Sequence, residues 1–266
     1  MKCEPTDGEL LMRFLQHQDE QAFEKLVRRH RSSVYSVCYR VLGNSHDAED
    51  AFQATFLVLA RKARWLQTAT SLGGWLFRVA LRTAKNARAK KWRSKEEALN
   101  VTISSEAEPL AIIQEQELVT TLYEELGKLP DKYQSAIVLC VLEGKSRLEA
   151  STELECTVAS LKARLARGRQ QLRINLTRRG VAFSVALSAA ASGVRVADAA
   201  LNALCENTAT TCTSYTFATK GCNVSPNVLQ LSEKGMSTMT LAMYSKLAVA
   251  SLALLTIGIG STMLPA

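Results

Sequence analysis

Acidic side chains are missing from two long stretches of this sequence: none occurs from Ala51 to Lys95, and none from Cys156 to Ala197. Cations without carboxylates over such lengths exclude a self-neutralised surface and call for a polyanionic partner. Histidine is scarce, at three residues, and the seven cysteines (3, 38, 140, 156, 205, 212 and 222) are odd in number, lack CxxC spacing and do not accompany the histidines. Zinc-ribbon and dithiol redox chemistry are thereby set aside, and the thiols read as core or surface groups of a reducing cytosol. A P-loop, a metal-ligand cluster and a nucleophile with a base nearby in sequence are also missing, so no catalytic residue, metal or cofactor is expected. Met1-Lys2-Cys3-Glu4-Pro5 opens without an apolar run, so no cleavable secretory signal is expected either.

What is present suits one or two globular domains: 266 residues, 47% hydrophobic and 22% charged, give room for two modest cores. The net charge of +8 favours nucleic acid first and an acidic membrane surface second. Its placement says more than its sum. The first acid-free stretch carries Arg61, Lys62, Arg64, Arg78, Arg82, Lys85, Arg88, Lys90, Lys91, Arg93 and Lys95; the second carries Lys162, Arg164, Arg167, Arg169, Arg173, Arg178, Arg179 and Arg195. An acidic segment, Glu96 to Glu125, separates them.

Residues 8 to 93 read as helices almost throughout, because strand-like alternation is absent and apolar residues recur at helical spacing. Phe23, Leu26, Val27, His30, Val34, Val37 and Val41 make one long amphipathic stripe, with Asp19 as N-cap and Gly43 as stop. The next helix starts at Ser45, with Asp47, Glu49 and Asp50 in a first turn that favours anions. A third begins near Ser71 and runs past Trp75 into the basic stretch. Residues 94 to 114 lose the helical period and gain Ser, Glu and a Pro, which predicts a linker. A second helical unit follows, with stripes at Leu118, Leu122, Leu126 and Leu129, then at Tyr133, Ile137, Cys140 and Val141, ending at Gly144.

Ser146-Arg147-Leu148-Glu149 has the form of a capping box and starts a short helix that ends near Leu154. Another starts at Thr157, so two helices meet across Glu155-Cys156 in the manner of a helix-turn-helix. In the second, Val158, Leu161 and Leu165 share the inward face. Ala159, Ser160, Lys162, Ala163, Arg164 and Arg167 face outward, and such small and polar residues followed by cations suit a major groove and its flanking phosphates. Taken alone, "LKARLARGRQQLRINLTRRG" (161 to 180) reads equally as a solvated basic face; the capped helix and tight turn before it favour DNA.

Three motifs in this order and spacing resemble the extracytoplasmic-function sigma factors, the compact two-domain class of sigma-70-type initiation factors, over about residues 8 to 180. "DAEDAFQATFLVLARKA" (47 to 63) is similar to the family's polymerase-clamp-binding helix, "GGWLFRVALRTAKNARAKKWR" (73 to 93) to its promoter-melting helix, and "LGKLPDKYQSAIVLCVLEGKSRLEASTELECTVASLKARLARGRQQL" (126 to 172) to its carboxy-terminal domain. The resemblance implies an all-α fold of two small helical domains: an amino-terminal bundle over 8–93 and a four-helix helix-turn-helix domain over 115–180. A flexible acidic linker over 94–114 would join them. It implies core RNA polymerase and promoter DNA as partners, an anti-sigma factor as a further one, and no catalytic activity. Asp47, Asp50, Gln53 and Phe56 would dock on polymerase, although Phe56 equally reads as core and Asp50 as a helix-dipole complement. Trp75, Arg78, Arg82, Lys85, Asn86, Arg88, Lys90 and Lys91 would melt the promoter, and Thr157, Ala159, Ser160, Lys162, Ala163, Arg164 and Arg167 would read the upstream element. Trp75 and Phe77 fit either an aromatic platform for unstacked bases or an ordinary core. The chain departs from the family pattern at Ala54, Arg82, Asn86 and Glu155, the last standing where the turn usually has Gly; a left-handed backbone there would cost about 1 kcal/mol relative to Gly. The alternative reading is a polymerase-independent helix-turn-helix regulator of duplex DNA.

From Val181 onward the composition shifts to Ala, Ser, Thr and Leu. Residues 247 to 264, "LAVASLALLTIGIGSTML", carry no charge and just reach the about 18 to 20 residues that a bilayer span needs. They are a candidate transmembrane helix that would tether a cytoplasmic DNA-binding part to the inner membrane, Lys246 lying on the inside; a buried or fraying apolar helix is the other reading. "VAFSVALSAAASGV" (181 to 194) is too short for a span and reads as an interfacial or packing helix.

Overall fold

The computed structural model describes residues 5–66, 72–99, 110–142, 144–191, 198–217 and 224–234, and its regular structure is helical, with no strand among the described residues. Local chemistry explains the first boundaries. Helix α1 (Asp7–His17) opens on a capping box in which the Thr6 hydroxyl accepts from the Glu9 N–H at 3.3 Å while the Glu9 carboxylate accepts from the Thr6 N–H at 2.8 Å. Helix α2 (Glu20–Leu42) starts at the predicted cap, where the Asp19 carboxylate accepts from the Ala22 N–H at 3.0 Å, and stops at Gly43 with φ +75°. Helix α3 (Ser45–Leu66) is capped by Asn44, whose Oδ1 accepts from the Asp47 N–H. Helix α4 spans Leu72–Leu99.

The predicted linker is shorter than its sequence suggests. Helix α4 persists through residue 99 and α5 (Leu110–Gly127) begins at 110, so helix overruns both ends of the expected 94–114 segment. Glu, Ala, Leu and Ile at those ends sustain a helix despite the lost amphipathic period. Residues 100–109 lie outside the described set.

Helix α2 packs against α1, α3 and α4, and α3 packs against α4. Phe14, Phe23, Phe52, Phe56 and Leu76 are fully buried between them, with the Phe14–Phe23 and Phe52–Phe56 ring centroids 4.5 and 4.9 Å apart. In the second group α6 (Asp131–Ile137) runs on into a π-helical turn, Val138–Leu142, followed by α7 (Arg147–Glu153) and α8 (Val158–Arg178). Gly168 sets the approach of α8 to α6: a β-carbon there would come within 3.0 Å of Ile137 Cδ1 and 3.2 Å of Tyr133 Cβ. The groups are in contact, since Arg40 on α2 donates to the buried Tyr123 hydroxyl on α5 at 2.9 Å and Phe77 on α4 meets Tyr123 edge-on at 5.6 Å.

The described residues of the last third are folded onto the rest. Helix α9 (Phe183–Ala191) packs against α5 and α8, with Arg173 over the Phe183 ring at 5.5 Å, which fits the packing helix expected over 181–194. Helix α10 (Asp198–Thr216) lies across α2 and α3, an arrangement the sequence analysis does not anticipate. Its Leu201, Leu204, Cys205, Thr208, Ala209 and Cys212 form one buried stripe at spacings of three and four. Each leucine so buried contributes about 1.5–3 kcal/mol relative to an exposed one. Cys205 and Cys212 are free thiols in this stripe, and burial pushes the Cys205 thiol up to about 11. A further helical segment, 226–234, buries Val228, Leu231 and Ser232. No helix among the described residues is long and apolar enough to cross a membrane; the candidate span 247–264 lies outside them.

Candidate polymerase and nucleic-acid interfaces

The helix-turn-helix forms as its local chemistry dictates. Ser146 accepts from the Glu149 N–H at 3.2 Å and Glu149 from the Ser146 N–H at 2.8 Å, which starts α7. The helix ends with the Glu155 N–H bonded to the Thr152 carbonyl at 3.2 Å and the Cys156 N–H to the Ser151 carbonyl at 2.9 Å, the paired bonds of a Schellman motif. Glu155 occupies its left-handed position, at φ +47°. Thr157 then caps α8 by accepting from the Ser160 N–H at 3.1 Å. Leu161 and Leu165 face the core, whereas Thr157, Ala159, Lys162, Ala163 and Arg167 are exposed and Ser160 and Arg164 half-buried. No described carboxylate pairs with Lys162, Arg164 or Arg167, so this cationic edge is directed outward.

The cations of α4 are engaged instead. Arg78 pairs with Asp131 and also donates to Gln134, Lys85 pairs with Glu124, and Arg88 donates to the Thr120 hydroxyl at 3.1 Å. Arg179 from the end of α8 donates to the same Glu124 at 2.7 Å. Burial opposes the charge of Glu124, but hydrogen bonds from Lys85 and Arg179 outweigh it and hold the carboxyl below its ordinary range. Arg82 is half-buried with one guanidinium nitrogen unpartnered, and both burial and the neighbouring Arg78 lower its pKa. Asn86 is half-buried.

Two expected contacts are corrected by burial. Phe56, a polymerase-docking candidate, is fully buried against Phe52, and Trp75, a candidate for melting, is 9% exposed in the first turn of α4. Phe77 is likewise internal. In both cases the core reading of the aromatic prevails, because its ring supplies apolar area to the bundle. The exposed indoles are ones the sequence analysis passed over: Trp65 at the end of α3, 76% exposed, and Trp92 on α4, 47% exposed. Trp92 stands in "KKWR", and an aromatic flanked by cations was a signal available in the sequence.

The other docking candidates lie where the start of α3 meets the far end of α4. Asp47 accepts from Asn44 at 2.7 Å and from Lys91 at 3.1 Å, and although burial opposes its charge these bonds hold the carboxyl below its usual range. Asp50 is half-buried near the Asn227 side chain, whose Oδ1 accepts from Lys90 at 2.9 Å. Gln53 is half-buried one turn further on. Polymerase-docking and promoter-melting candidates therefore share one polar cluster.

A tight helix-turn-helix, a preceding helical bundle and a long cationic helix define a bacterial initiation-factor architecture, and comparison with known proteins agrees. The family model for Sigma-70 region 2 matches residues 26–94 and that for Sigma-70, region 4 matches 120–172. The chain is 34% identical over 156 residues to the ECF RNA polymerase sigma factor SigE of Mycolicibacterium smegmatis, covering 57% of this chain and 60% of that protein. It is 32% identical over 169 residues to the ECF RNA polymerase sigma factor SigW of Bacillus subtilis, covering 59% of this chain and 90% of that one. With the RNA polymerase sigma-H factor of Pseudomonas aeruginosa the identity is 24% over 185 residues, covering 65% and 94%. The chain belongs to the extracytoplasmic-function sigma factors of the sigma-70 family.

Proposed function

We infer that this sigma factor recruits core RNA polymerase through the start of α3 and directs promoter-specific initiation with two cationic elements. Asp47, Asp50 and Gln53 make the polymerase contact. The amino-terminal turns of α8 enter a major groove, Thr157, Ala159, Ser160 and Ala163 lying at base edges and Lys162, Arg164 and Arg167 on phosphates. Helix α4 takes the strand to be opened, with Arg78, Arg82, Lys85, Asn86, Arg88, Lys90 and Lys91 along the backbone and Trp92 or Trp65 offering the stacking surface that a buried Trp75 does not. No step of this cycle requires a catalytic residue of its own.

The observation that carries the reading is the outward cationic edge of α8, presented by a capped helix and a closed turn. The test is transcription on promoter templates with purified core polymerase. Lys162→Glu with Arg164→Glu is expected to abolish promoter-dependent transcript and leave core-polymerase binding intact. A protein that footprints duplex DNA alone yet supports no promoter-dependent transcript with core enzyme would sink the reading in favour of a polymerase-independent regulator.

A further inference from the structure

The stripe of α3 that carries Asp50 continues through Ala54, Leu57 and Arg61, at spacings of four, three and four. The carboxy-terminal extension packs along part of it. Asn227 stands near Asp50 at one end, Tyr215 lies under the Arg61 guanidinium at 5.7 Å at the other, and α10 packs on α3. Ala54 and Leu57 are 0% and 1% exposed, and every residue from Ala54 to Ala60 is buried. A helix buried on all sides has neighbours on all sides; α1, α2 and α4 supply some of them and α10 of the extension another.

The extension is held by specific chemistry as well as by its apolar stripe. Arg28 donates to Asn202 at 3.1 Å and to Glu206 at 2.6 Å, and Arg31 donates to Asn202 at 2.5 Å. Phe217 meets Phe14 edge-on at 5.2 Å. Ala54 is also a departure noted from the sequence, where the family pattern has Glu; a carboxylate at this covered position would be stripped of water, whereas a methyl group fits.

We propose that residues 198–217 and 224–234 are a built-in competitor for polymerase: they pack in cis on the α3 surface on which core enzyme docks, and Asn227 sits beside Asp50 of that surface while accepting from Lys90 of the candidate melting helix. The inference rests on the polymerase reading of Asp50 given above. Burial, the largest influence on Asp50, raises its carboxyl above the ordinary value. Polymerase binds only the fraction of molecules in which the extension has lifted, so the apparent affinity is reduced by that fraction.

The test uses the full-length chain. Asn202→Arg faces Arg28 and Arg31 with a third guanidinium and lifts α10 without truncation; Arg28→Gln, which sets no carboxylate against Glu24 and Glu206, and Arg31→Glu added to it restore attraction. Hydrogen exchange over residues 50–61 reports undocking independently of polymerase, and circular dichroism confirms a folded chain. The expected result is faster exchange and about tenfold tighter binding to core polymerase for Asn202→Arg, as for a closed fraction near nine-tenths, with both effects reversed in the triple variant. Faster exchange with unchanged or weaker polymerase binding overturns the competitor role and leaves the sigma-factor reading standing. If neither wild type nor Asn202→Arg binds core enzyme although exchange rises, the polymerase reading fails, and the competitor role with it. Unchanged exchange in a folded Asn202→Arg protein overturns the docking argument itself.

Discussion

Glu155 and Gly180 hold the same place in two copies of one motif. At the end of α8 the Gly180 N–H bonds the Thr177 carbonyl and the Val181 N–H bonds the Leu176 carbonyl, matching the Glu155 and Cys156 bonds at the end of α7. Both central residues have positive φ, +74° and +47°. Glycine adopts this conformation freely, while a β-carbon meets the following carbonyl. Glu155→Gly is therefore expected to stabilise the helix-turn-helix by about 1 kcal/mol, read as a higher urea midpoint with an unchanged slope. An unchanged or lower midpoint would show that the strain is relieved locally. Because the substitution also removes a carboxylate beside the recognition helix, promoter affinity should rise at low salt, and that gain should shrink as salt is added.

At the scale of the element, Gly168 decides how α8 seats. Two atoms of α6 stand within 3.2 Å of where a β-carbon would lie, one of them a Cβ that cannot move without its backbone. Gly168→Val should push α8 off α6 and cost about 1–3 kcal/mol, measured by thermal melting, despite valine's better helix propensity. Much at this scale was legible beforehand. The Asp19 cap, the Gly43 stop, the Ser146–Glu149 box and the start of α8 at Thr157 are written in residues close in sequence, whose bonds are local. The outward set on α8 followed from helical period alone. The fates of Phe56 and Trp75 did not, because an aromatic residue in a basic helix is compatible with either a core or a binding surface until its neighbours are known. Asn227 carried no sequence signal at all. Its contacts with Asp50 and Lys90 span well over a hundred residues, and a polar residue in a low-charge segment reads as surface.

Across the whole molecule some of the α4 cations, Arg78, Lys85 and Lys91, are paired with carboxylates from other helices. Glu124 and Asp131, from the helices that lead into the helix-turn-helix, take up Lys85, Arg179 and Arg78, all of which a DNA backbone would otherwise claim. On the proposed reading these carboxylates compete with phosphates for the cations, and weakening the carboxylates should favour promoter binding. Glu124→Gln with Asp131→Asn keeps size and hydrogen-bonding capacity while removing two competing charges. It is expected to tighten binding of a forked promoter fragment and to steepen the decline of affinity with salt by about 2 in the log–log slope, since up to two or three more cations become available to phosphate. Titration by fluorescence anisotropy at several salt concentrations measures both, and an unchanged slope would mean that these ion pairs persist on DNA. Acid should act in the same direction. The Glu124 carboxyl is depressed in the folded protein, so its stabilising contribution is complete above the ordinary value of 4.5 and is lost as the pH falls through the lower folded value. The contact between α4 and α5 should therefore loosen below about pH 4.5 in the wild type, seen as faster hydrogen exchange in α5, and that acid transition should be diminished in the double variant, which has no carboxyl left to protonate at either position.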